Sequence, residues 1–152
     1  MFQFAKHYGV MWIVFVILVS IGAFGLEIME GEKIKTTEYY GLQNLGSMYL
    51  AVILLFISLP ASVLYFVALL PLSVLFQKVN STAFLVRTVI FSVLGAVGGK
   101  WLFHKQFSDY FVKGYELKEL TAVIIFGICG LVYSLIDGFL AKKVTWVKRE
   151  SH

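Results

Sequence analysis

The chain has 152 residues, of which 59% are hydrophobic, 16% aromatic and only 14% charged, with a mean hydropathy of +0.84. A soluble domain is roughly half apolar and about a quarter charged, so this composition excludes a soluble globular protein, and two prolines exclude a disordered or collagen-like one. The net charge of +4 is gathered between apolar runs instead of forming a basic face for nucleic acid, and is read as topogenic.

The first uncharged run, Val10 to Leu26, nearly crosses a ~30 Å hydrocarbon core as a helix, and Tyr8, Gly9 and Trp12 complete a span of about 8–26. It is read as a retained helix and not as a cleaved leader, because further spans follow. Glu27 to Glu38 carries four Glu and two Lys and is expected to be a solvated loop.

From Tyr39 to Gln77 no residue is charged, which predicts one long second helix over about 45–76, entered through Tyr39-Tyr40-Gly41 and starting near Gly46-Ser47. Pro60 removes a backbone donor in mid-run, so the helix should kink there, with a second bend at Pro71. Gln77 to Thr82 reads as a tight polar turn, capped by Asn80 or Ser81. The third span covers about 82–103, with Arg87 and Lys100 one turn inside its ends. Loop 104–119, with Phe107, Tyr110, Phe111 and Tyr115, should lie along the headgroups and hold a short amphipathic helix. The fourth span, about 120–141, is followed by Lys142, Lys143, Trp146, Lys148 and Arg149, a stop signal fit to contact lipid headgroups or a partner.

The fold class is therefore all-α, an integral membrane four-helix bundle forming one transmembrane domain over 1–152. Four crossings place both termini on one side. That side holds Lys6, Lys78, Arg87, Lys142, Lys143, Lys148 and Arg149, seven of the 13 cations, and the basic cluster at the last span end predicts cytoplasmic termini in a plasma or bacterial inner membrane.

Small residues recur at helical spacing in the last two spans: Ser92, Gly95, Ala96 and Gly99, then Gly127, Gly130, Ser134, Gly138 and Ala141. Such stripes, with the GxxxG pair Gly95–Gly99, let backbones approach closely, either as packing of span three on span four or as the seam of a homo-oligomer. In the second span Ser58, Ser62, Tyr65 and Ser73 share one arc, which is either a pore-lining face or a packing face whose hydroxyls bond the preceding turn. Arg87 and Asp137 lie at equal depth near one end and are expected to pair, with independent snorkelling as the alternative; Lys100 has Glu27 or Glu119 within the same reach.

Catalysis has little to stand on. His7, His104 and His152 are scattered, Cys129 is alone in an apolar run and reads as a small buried hydrophobe, and Ser58 and Ser62 have no base at comparable depth. No enzyme activity, metal or cofactor is expected.

Four short spans with a charged first loop, a long second helix and Leu-Pro-Leu-Ser around Pro71 resemble in architecture the small four-helix membrane proteins of bacteria. That resemblance implies a fold and assigns no site residue. The expected function is a non-enzymatic, homo-oligomeric membrane scaffold or sensor subunit that engages lipids and a cytosolic protein partner through its loops and basic tail, a description that bacterial immunity and defence subunits fit. A small oligomeric channel or transporter is the alternative.

Overall fold

The computed structural model describes residues 2–39, 48, 53–77 and 83–150, the side chains at 2–4, 53–54, 77, 83 and 142–150 excepted. Among these residues every regular element is helical. Helix α1 is Phe2–Met29 and runs into a single 3₁₀ turn at Gly31–Lys33. Helix α2 is a continuous helical run over 53–77; α3 is Ala83–Gln106, α4 the short Asp109–Gly114, and α5 the long Glu119–Glu150. Four helices are long and apolar enough to cross a membrane, at Ala5–Lys33, Leu55–Phe76, Phe84–Gln106 and Glu119–Ala141. The expected entry at Tyr40, Gly41, Gly46 and Ser47, the turn at Lys78 to Thr82, and the side chains of Lys142, Lys143, Lys148 and Arg149 lie outside the described residues.

Within α2 the local geometry follows its two prolines. Wide π-helical turns occupy Ile53–Ser58 and Tyr65–Leu69, and α-helical turns occupy Leu59–Leu64 and Leu70–Gln77. Each wide turn ends two residues before a proline and contains the residue, Phe56 or Val67, whose carbonyl the proline ring would strike in a regular α-helix. Opening the turn moves that carbonyl away. The sequence therefore writes the departure from α geometry at both places.

Helix α5 packs along α3 and against α1, and two aromatic cores stack along it. One gathers Met11, Tyr65, Leu69, Phe91 and Tyr133; the other gathers Ala23, Leu26, Ile34, Phe103, Phe107, Leu117, Ala122 and Phe126. Loop 104–119 folds over the end of the second core instead of lying wholly flat. Phe107 is fully buried there, Tyr39 stacks on it with ring centres 6.0 Å apart, and only Tyr110 turns fully outward. Helix α4 lies in this loop, and Glu116 after it takes a left-handed φ of 51°, letting the Leu117 amide bond the Val112 carbonyl.

The outward surfaces of the spans carry exposed Ile, Leu, Val and Phe in all four helices, as a chain solvated by lipid tails requires. One difference from the sequence reading stands out at the end of the first span. The reading of Glu27 and Glu30 as solvated loop residues is corrected: they are 3% and 2% exposed, because α1 continues through Glu27 to Met29, Glu30 follows it directly, and later segments close over both carboxylates.

Candidate functional site

Helix α1 enters with His7, α3 with Arg87 and α5 leaves with Asp137, and the three meet where these helices converge. Asp137 is completely buried; His7 Nε2 lies 2.8 Å from its Oδ1 and Arg87 Nη1 3.2 Å from its Oδ2. Arg87 is only 6% exposed, so it does not snorkel to the surface. A lone charge near hydrocarbon costs several kcal/mol, and pairing on both carboxylate oxygens offsets much of that cost.

The guanidinium is further fixed by its neighbours. Its Nη2 donates to the Ser134 carbonyl at 3.0 Å, and its carbon lies 5.7 Å from the centre of the Phe84 ring. A Cβ on Gly138 would stand 2.8 Å from that Nη2 and 2.8 Å from Phe84, so the missing side chain is what admits Arg87 to the α5 backbone. Thr88 donates to the Phe84 carbonyl at 2.9 Å and its hydroxyl meets that of Ser134 at 3.0 Å.

Inward of the ions lies a shell of hydroxyls. Tyr65 donates to the Tyr8 carbonyl at 2.9 Å, and the Tyr133 phenol faces Ser73, Tyr65 and Tyr8 within the field of Asp137. Deeper still, Trp12 donates to Ser62 at 2.9 Å, and Ser62 donates to the Ser58 carbonyl at 2.6 Å.

A second polar cluster closes the opposite end. From His7 to Glu27 helix α1 rises ~30 Å, so the two clusters lie about one hydrocarbon thickness apart. Glu27 Oε2 accepts from Tyr39 and from Gln106, each at 2.7 Å. Burial and the Glu27 carboxylate push the Tyr39 phenol above its ordinary pKa, which keeps it a neutral donor. Glu30 accepts from Lys33 and Thr121 at 2.6 Å and from the Lys118 amide at 3.0 Å, tying α1 to the start of α5. Outside it, Lys100 and His104 meet Glu119 at 3.2 and 3.0 Å.

The small-residue stripes face each other within the chain. A Cβ on Gly95 would run into the Phe126 carbonyl, one on Gly130 into the Phe91 carbonyl, and one on Gly99 would stand 2.5 Å from the Ala122 carbonyl. Gly127 faces Ser92, whose hydroxyl donates to its carbonyl at 3.0 Å. Ser62, Tyr65 and Ser73 turn their polar atoms toward α1 and α5 or back onto α2, where the Ser58 carbonyl accepts from Ser62, and Tyr65 and Ser73 are wholly buried. Cys129 is half-buried beside the Leu18 carbonyl. An open apolar groove of about 430 Å³, lined by Ser20, Ile21, Phe24, Gly25 and Ile28, faces outward on α1.

Sequence reasoning set Arg87 beside Asp137 but left out His7, Tyr8, Thr88 and Tyr133. The missed signal was depth: His7 lies one turn inside α1 at the level of both ions. Among the described residues no three His, Cys, Asp or Glu side chains converge as a metal ion would need. No known protein family, no curated protein and no solved structure matches this chain significantly.

Proposed function

We propose that the chain is a non-enzymatic, multi-pass membrane protein, a four-helix bundle with α2 kinked at Pro60, that serves as an oligomeric scaffold or sensor subunit. The observation that carries this reading is where the polar groups go. At both faces the buried charges are taken up by fixed partners within the chain, while the spans turn apolar side chains to lipid. Such a protein is stiff at its ends and offers partners its loops and its basic tail, Lys142, Lys143, Lys148 and Arg149. A cytosolic protein of complementary charge and anionic lipid headgroups are the partners this suits, as in bacterial immunity or defence assemblies. The wide turn ahead of Pro60 supports the kink.

The alternative reading, a small oligomeric channel or transporter, is favoured by one feature, the line of hydroxyls from Ser73 through Tyr65 to Ser62 and Ser58 on α2. Flux of ions and small solutes in proteoliposomes separates the two. The scaffold reading expects flux at the level of protein-free liposomes; selective flux abolished by Tyr65→Phe contradicts it and supports the channel.

A further inference from the structure

Three buried polar atoms beside the ionic cluster lack hydrogen-bond partners: Ser73 Oγ on α2, Arg87 Nε on α3 and Tyr133 OH on α5. Their side chains are 0%, 6% and 2% exposed. The Tyr133 phenol lies beside the hydroxyls of both Ser73 and Tyr65, yet neither contact has the geometry of a hydrogen bond. Asp137 Oδ2, which meets Arg87 only as an ion, also lacks a hydrogen bond. An orphaned buried hydroxyl or N–H costs the full desolvation of that group, and native interiors avoid it almost everywhere. Three donors and one acceptor on three different helices are not left so by chance.

We propose that these groups enclose a buried hydration site, one or more water molecules held between Ser73, Tyr133, Arg87 Nε and Asp137. Water fits because it offers both donors and acceptors. A cation is opposed by the guanidinium and an anion by the Asp137 carboxylate, whereas water accepts from Arg87 and Tyr133 while donating to Asp137. Buried waters make about three hydrogen bonds each, and this set offers four groups for them. The water continues the polar cluster inward from Asp137 to the hydroxyls of Tyr133 and Tyr65, so that the ionic cluster is solvated from within. The proposal goes beyond the scaffold reading and does not depend on it.

X-ray radiolytic footprinting tests this on the full-length protein in lipid nanodiscs, since radicals made from a bound water oxidise the side chain beside it even where bulk solvent cannot reach. Tyr133 should be oxidised on short exposure, and Phe103, equally buried in the other core, should stay unmodified. Ser73→Ala should lower the Tyr133 rate, and Ser73→Ala and Tyr133→Phe should each lower the unfolding midpoint by roughly 2–4 °C, because each removes a partner from a satisfied water. A dry site has the opposite sign: removing an orphaned hydroxyl raises the midpoint. Tyr133 as silent as Phe103, or a raised midpoint in either variant, overturns the proposal. So does oxidation of Tyr133 that changes when chloride is replaced by gluconate, which would assign the site to an anion.

Discussion

At the level of single residues the chain concentrates its polar chemistry in side chains that hydrocarbon would otherwise reject. Asp137 is met by His7 of α1 and by Arg87 of α3 at once, so Asp137→Asn should cost about 3–5 kcal/mol, the range for breaking a buried pair and leaving one charge unanswered. Replacing both ions is expected to be milder than replacing one: Arg87→Leu with Asp137→Leu should retain more stability than either single change, because no uncompensated charge remains. Reversible unfolding in mixed micelles gives the four corners of that cycle. If the two losses simply add, the residues act independently and the pairing has no energetic content. The pair was legible in the sequence because both residues interrupt apolar runs at matching depth. His7 was not, since it sits at the start of a helix where an interfacial histidine needs no partner, and only the convergence of α1 on α5 brings it to 2.8 Å from the carboxylate.

For the helices, apolar run length decided nearly everything that the sequence could convey. Apolar runs, uncharged in the first two spans and broken only near their ends by Arg87, Lys100 and Asp137 in the last two, located the four spans, and the two prolines located the departures from α geometry in α2. What run length could not convey was the fate of charges just outside a run: Glu27 and Glu30 look like loop residues until Tyr39, Gln106, Lys118 and Thr121 arrive from distant elements to bond them. The glycines separate by the same logic of neighbours. Gly130 faces the Phe91 backbone, which cannot yield, so Gly130→Ala should force α3 from α5 and cost about 1–3 kcal/mol, as overpacking does. Gly98 has nothing within 4 Å of its would-be Cβ, so Gly98→Ala should stabilise by roughly 0.4–1 kcal/mol through the unfolded chain. Equal effects of the two changes on thermal unfolding would contradict the packing of α3 on α5 described above.

Taken as a whole, the molecule has two polar clusters about one membrane thickness apart and an apolar girdle between them, and its orientation is the property on which the proposed partners depend. Because the glycine stripes are filled within the chain, an oligomer must form through outward surfaces, and mass measurement in mild detergent should give more than one chain; a stable monomer contradicts that part of the reading. Orientation is decided during insertion, before the ion pairs form, so it is the sequence of Lys and Arg near span ends that counts. Lys142, Lys143, Lys148 and Arg149 all lie within the window beyond the last span where such charges act, whereas the cations of loop 104–119 are divided between its two ends. Both termini are therefore expected in the cytoplasm and the loop bearing Lys35 outside. In a Cys129→Ala background, Lys35→Cys should react with a membrane-impermeant thiol reagent in intact cells, and Val147→Cys only after the membrane is opened. Reaction of both from outside breaks the four-span count, and the reverse pattern inverts the protein and removes the basic tail from any cytosolic partner.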